Sequence, residues 1–104
     1  MALGAAIVLA AGCGPSPHRA PVSYRVDIRA MKYEPAVVRA ARGDTVRWTN
    51  GDLVPHTVTS STRAFDSGSL APDSSWTLVI GQDGALSYSC QFHPAMRGSL
   101  VVAP

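Results

Sequence analysis

The sequence predicts an all-β domain, a two-sheet Greek-key sandwich or closed barrel of about seven to eight strands. Three observations carry this expectation. Apolar and polar residues alternate with period two in several short runs. Gly, Pro, Asn and Asp separate those runs, and no segment keeps a helical apolar period over three turns.

The first run is Val22, Tyr24, Val26 and Ile28 alternating with Ser23, Arg25, Asp27 and Arg29, a half-buried strand. Pro35 to Arg39 offers a second short strand, closed by the turn at Ala41-Arg42-Gly43-Asp44. Thr45 to Asn50 is the third, with Val46 and Trp48 on one face and Arg47 and Thr49 on the other. Asn50-Gly51-Asp52 is a strong turn signal. Val54 to Ser60 is a fourth extended run, and Ser61 to Leu70, which lacks periodicity, is a loop. Beyond Pro72, Trp76, Leu78 and Ile80 alternate with Thr77 and Val79. Gly81 to Gly84 turns, and then Leu86, Tyr88 and Cys90 share one face against Ala85, Ser87 and Ser89. Leu100 to Ala103 is the final strand, and Trp48 and Trp76 read as core.

At 104 residues the chain suits one domain. Nine Lys plus Arg against seven Asp plus Glu leave a formal charge of +2, carried by single scattered residues. A basic run or basic-aromatic patch is absent, which argues against a nucleic-acid partner.

The first residues differ in kind. Residues 1–12, MALGAAIVLAAG, are uncharged and apolar, too short to span a bilayer as a permanent helix but suited to the core of a secretory signal. Ala10, Ala11 and Gly12 directly before Cys13 resemble a bacterial lipobox, in which the Cys is lipidated; Cys13 is therefore the expected lipidation site, with plain secretion and an uncleaved anchor as the alternative readings. Residues 13–21 then form a Pro-rich tether, with His18 a solvated linker residue, and residues 22–104 form the domain. Cys13 and Cys90 are the two cysteines of the sequence. With Cys13 acylated in an exported protein, Cys90 is a lone thiol in an oxidising compartment, for which burial or metal ligation is the usual reason.

The segment Tyr88-Ser89-Cys90-Gln91-Phe92-His93-Pro94-Ala95-Met96-Arg97-Gly98 places a thiol, an imidazole and a thioether on one tight loop. Together these donors are soft to borderline, a set that suits copper in both its +1 and +2 states, whereas zinc favours Cys and His without thioether. A trigonal site needs a second imidazole. With His18 in the tether, His56 is the candidate, in a segment that a sandwich can bring to the same pole as Cys90.

CQFHPAMRGSLVV closely resembles the C-terminal copper loop of cupredoxins, the amicyanin-like group in particular, with its C-x-x-H-P-x-M-R-G pattern. VRWTNGDLVPHTVT resembles the family's first-histidine strand, and YEPAVVRAARGDTVRWTN its opening. The resemblance covers roughly residues 22–104. It implies a cupredoxin-like, plastocyanin-like fold holding one copper ion through the imidazoles of His56 and His93 and the thiolate of Cys90, with Met96 as a long axial ligand and the Pro55 carbonyl near the opposite axial position. Where the family often carries Asn after the first histidine, this chain has Thr57, so the link between the two ligand loops is shorter or differently made.

The resemblance implies a type 1 copper electron-transfer protein rather than an enzyme: a monomer passing single electrons between exported or membrane-bound redox proteins. Its contact surface is an apolar patch around His93 made by Val54, Pro55, Phe92, Pro94 and Ala95, and its location is periplasmic or at the cell surface, held there by the lipid anchor. Two other readings use the same residues differently: a surface copper-binding and delivery protein, and a metal-free structural sandwich in which Cys90 is simply buried.

Overall fold

The computed structural model describes residues 19–104. The expected signal segment, Cys13, His18 and most of the expected tether lie outside the described residues. Eight strands form: β1 (Ser23–Arg29), β2 (Lys32–Glu34), β3 (Val37–Ala41), β4 (Thr45–Asn50), β5 (Thr59–Ser60), β6 (Ser75–Val79), β7 (Gly84–Ser89) and β8 (Arg97–Ala103). They build two four-stranded sheets, β2-β1-β4-β6 and β3-β8-β7-β5, and the chain changes sheet at every link from β2 to β7. Among the described residues there is no helix. Both sheets are mixed, because β1 runs parallel to β4 and β3 parallel to β8, while the other pairs are antiparallel.

The alternation read from the sequence is the alternation of burial. Val26 and Ile28 on β1, Val46 and Trp48 on β4, and Leu100 and Val102 on β8 point into the space between the sheets, whereas Arg25, Arg47 and Arg29 face out. Burying a Val, Leu or Ile side chain stabilises by about 1.5–3 kcal/mol each, so these strands carry their own fold. Trp48 lies at the centre, its ring 5.6 Å from that of Trp76 and edge-on to Tyr88 at 5.5 Å. The Trp48 Nε1–H donates to the Tyr88 hydroxyl at 3.2 Å, which satisfies the one polar atom of the indole. Burial raises the Tyr88 hydroxyl to about 12, so it stays protonated. Gly98 on β8 faces Tyr88 on β7, and a Cβ there would run into the phenol ring.

At one end, the turn at residues 41–44 forms as expected, with Gly43 at φ 90°. Its keystone is Asp44, buried, whose carboxylate accepts from the backbone N–H of Val22 and Ala41 at 2.9 Å each and pairs with Arg19 at 2.6 Å. The Arg19 guanidinium first, and then the Val22 N–H, hold this carboxyl far below the usual carboxylate range.

Four elements differ from the sequence expectation. β3 spans Val37–Ala41 rather than Pro35 to Arg39, because its ladder with β8 runs from Val37 to Ala41. β2 is not foreseen: three residues cannot display an alternation, and it exists by pairing with β1 across the two-residue turn at Ala30-Met31. Of the extended run Val54 to Ser60, only Thr59 and Ser60 are strand. The preceding residues are spent on the loop that delivers His56, which makes a single antiparallel bridge to Leu70. The last strand begins at Arg97 rather than Leu100, because Tyr88 and Ser89 extend the β7–β8 ladder to Gly98 and Arg97.

Candidate metal centre

The segment after β4 brings the first imidazole. Asn50 ends β4 fully buried, and its side chain organises the loop that leads to His56. The amide donates to the carbonyls of Val54 and Leu70 at 2.9 Å each, and its oxygen accepts from the Asp52 N–H at 2.9 Å. The His56 backbone then exchanges hydrogen bonds with Leu70, N–H to carbonyl at 3.1 Å and 2.7 Å. A residue clamped on both sides in this way has no freedom to swing, and His56 is fully buried.

The second group comes from the β7–β8 connection. Cys90 is the first residue past β7, buried on the core side as its alternation with Tyr88 requires. Two successive turns come next, His93 N–H to the Cys90 carbonyl at 3.3 Å and Met96 N–H to the His93 carbonyl at 2.9 Å. The Cys90 N–H returns to the Met96 carbonyl at 3.3 Å and closes the loop at its base. Two spacer residues on each side of His93 are what these turns demand. Met96 is buried, while His93 is half-buried among exposed Phe92, Pro94 and Ala95.

The structure brings His56, Cys90 and His93 together, with one donor atom from each lying within 4.8 Å of the others. The Cys90 Sγ is 3.7 Å from His56 Nδ1 and 3.8 Å from His93 Nδ1. An ion bonded to nitrogen at about 2.0 Å and to thiolate at about 2.3 Å, with trigonal angles, separates N from S by about 3.7 Å. Both sulfur-to-nitrogen separations therefore suit a single ion. The donor set, two imidazoles and a thiolate with a buried thioether on the same loop, is the one that suits copper.

The two ligand-bearing segments are tied together through Thr57, also buried. Its backbone N–H points at the Cys90 Sγ at 3.3 Å, and its hydroxyl accepts from the Gln91 N–H at 2.9 Å. The Thr57 hydroxyl in turn lies 2.9 Å from that of Thr59, which donates to Asp66 at 3.1 Å. The Thr57 carbonyl accepts from the Tyr33 hydroxyl at 2.5 Å. Threonine thus makes a short direct cross-link where the family resemblance leads one to look for asparagine. The outer nitrogen of His56, Nε2, meets Asp52 at 2.8 Å. Burial opposes the charge on Asp52, but the N–H groups of Met31, His56 and Ala30 together hold its carboxyl below the usual range.

Sequence reasoning picks out the three residues that the structure gathers, with Met96 buried on the same loop, but it passes over the work of Asn50 and Asp52, which it takes only as a turn signal. A turn residue with a side-chain carbonyl or carboxylate four or six positions before a candidate ligand is the available clue.

The chain matches the family model of the cupredoxin-like domain over residues 2–102. It is 33% identical over 82 residues to amicyanin of Paracoccus versutus, which covers 74% of this chain and 62% of that protein, so the match spans about three fifths of that relative's length. It is 31% identical to amicyanin-alpha of Methylorubrum extorquens, covering 97% of this chain and 90% of the relative. Among solved structures, a mutant of amicyanin in its Cu(I) form superimposes with a TM-score of 0.73 at 30% identity, covering 78% of this chain and 82% of that one.

Proposed function

Given that the chain belongs to the cupredoxin-like family, we propose that it is a one-electron carrier whose copper ion would be held by His56, Cys90 and His93, with Met96 as a fourth donor. The observation that carries this reading is the convergence of two imidazole nitrogens and one thiol sulfur within 4.8 Å on a rigid sandwich. Copper, when bound, supplies a couple between the +1 and +2 states.

The chain's own residues keep the geometry constant across that couple. Asn50 and the Leu70 bridge immobilise His56, the paired turns immobilise His93, and Thr57 locks one loop to the other while donating its N–H to the Cys90 sulfur. Donors that do not move between oxidation states keep the reorganisation energy low, and hydrogen bonds to the sulfur tune the potential.

His93 is the exit for the electron. It is half-buried on a loop whose Phe92, at 51% exposure, Pro94 and Ala95 are exposed, and Val54 and Pro55, exposed on the loop that delivers His56, complete the apolar patch of this reading, whereas His56 is sealed. An uncharged surface of this kind suits brief encounters with a redox protein over a small interface, below about 1,200 Å². Export and lipid anchoring at Cys13 belong to the same proposal and rest on the apolar residues 1–12 before that cysteine. Membrane fractionation of Cys13→Ala tests the anchor: release into the soluble fraction supports it, and unchanged partitioning overturns it.

The experiment for the carrier reading is cyclic voltammetry of the copper-loaded protein alongside challenge with a Cu(I) chelator. A reversible one-electron wave with copper retained through many cycles is expected. Rapid surrender of Cu(I) to the chelator favours the second reading, copper delivery by the same ligands, and overturns the first.

A further inference from the structure

Asp52 sits at the end of the Asn50-Gly51-Asp52 turn, in a place where a solvated side chain would serve the turn equally well. Its carboxylate is instead turned inward, with 15% of the side chain exposed, and both oxygens are engaged. One accepts from the Ala30 N–H at 2.7 Å, and the other from the Met31 N–H at 3.0 Å while meeting His56 Nε2 at 2.8 Å. Ala30 and Met31 form the β1–β2 turn with φ of 52° and 60°. Left-handed backbone is costly for residues other than glycine, and tight hairpin turns of this hand favour Asn-Gly. Nothing in the Ala-Met pair itself prefers that conformation. The Asp52 carboxylate, accepting from both of its N–H groups, supplies the reason, and so fastens the β1–β2 turn over the histidine.

The chemistry at His56 comes from donor and acceptor counting. An ionised carboxylate only accepts, and a neutral imidazole carries one N–H. With Nε2 facing the carboxylate oxygen, a neutral imidazole satisfies the contact only by donating from Nε2, which leaves the Nδ1 lone pair free. That lone pair is on the side of the Cys90 Sγ, 3.7 Å away. A carboxylate in this position differs from a backbone carbonyl in adding a full negative charge behind the ligand, which favours the higher positive charge in front of it.

We propose that Asp52 is a positioning residue that acts through His56: it selects the Nε2–H tautomer before metal arrives and biases the site toward Cu(II) over Cu(I). The inference rests on the copper reading of the preceding subsection for its second half only. The tautomer is a property of the metal-free chain.

Two measurements test it. Nitrogen-15 NMR of the metal-free full chain at neutral pH should show His56 as the Nε2–H tautomer, and a majority Nδ1–H tautomer overturns the proposal. Competition titrations with Cu(I) and Cu(II) chelators then compare the protein with Asp52→Asn and Asp52→Glu. Asparagine preserves size and an acceptor for Nε2–H but removes the charge and the acceptor for the Ala30 N–H. It should raise the ratio of Cu(I) to Cu(II) affinity about tenfold, the order expected for a unit charge one imidazole ring away and partly reached by solvent. Glutamate restores the charge and should bring the ratio back to within about twofold of the original, whereas a purely structural role would leave both variants equally perturbed. An unchanged ratio in Asp52→Asn, or an equal shift in Asp52→Glu, overturns the proposal. Should Asp52→Asn fail to fold, Asp52→Ser takes its place as the uncharged variant, with the same expected rise in the ratio. Failure of the copper reading would look different: the tautomer would be as stated while Cu(II) gave the unsubstituted protein no thiolate absorption band.

Discussion

Replacing Thr57 by Val removes one hydroxyl from the link between the two ligand-bearing segments and nearly preserves shape. The Gln91 N–H loses its acceptor at 2.9 Å, and Thr59 loses a partner at 2.9 Å while keeping Asp66 at 3.1 Å. A net hydrogen bond contributes about 0.5–1.5 kcal/mol, and an orphaned buried donor costs about 1–3 kcal/mol. Thr57 is only 1% exposed, but the Gln91 residue is at the surface, so its amide recovers some hydration. The expected loss is about 2 kcal/mol, or a fall of roughly 10 °C in Tm for a domain of this size. Urea unfolding of the metal-free protein and its variant measures this without copper in the balance. The backbone N–H to Cys90 Sγ is untouched by the substitution, so the loaded variant should keep its thiolate band but release copper faster. A stability loss below about 0.5 kcal/mol, the range of ordinary surface changes, would refute the claim that Thr57 is the principal cross-link.

Gly98→Ala should destabilise by about 1–3 kcal/mol, because a Cβ there overlaps Tyr88 and the strand must shift; an unaltered unfolding midpoint would show that β8 yields freely. Asp44 has a depressed folded-state pKa, so its contribution is complete above about pH 4, the ordinary carboxylate value, and fades as pH falls below it. The stability gap between the protein and Asp44→Asn should therefore narrow on acidification from about pH 5 to about pH 2, and a gap independent of pH in that interval would contradict the ion-pair account. Ala95→Glu should slow electron self-exchange by desolvation and steric cost at the exposed loop while leaving the visible spectrum in place; an undiminished rate would move the exit away from His93.

Much of this is legible in the sequence because alternation and burial coincide. Val26, Ile28, Trp48 and Tyr88 declare their faces by period two, and Cys90 shares the face of Tyr88. The Cys90–His93–Met96 spacing reports a closed loop because two residues are what each turn consumes. His56 is reached by elimination and by topology, and the fold places it where that reasoning puts it. Features that depend on partners distant in sequence are not legible. The parallel pairing of β1 with β4 and of β3 with β8 leaves no local mark on any strand. β2 owes its existence to β1 and to the Asp52 carboxylate beneath the turn, not to its own three residues. Asn50 and Asp52 look like turn formers because a turn explains both residues fully; only the fold reveals that their side chains also brace His56.

The most direct test of the central claim is the visible absorption of the purified protein with one equivalent of Cu(II), recorded beside Cys90→Ser. The site geometry predicts intense blue or green thiolate-to-copper absorption in the protein, its complete loss in Cys90→Ser, and cooperative unfolding of the metal-free forms of both, since the strands rather than the ion supply the buried apolar surface. A colourless copper adduct, or a band that survives Cys90→Ser, would contradict it.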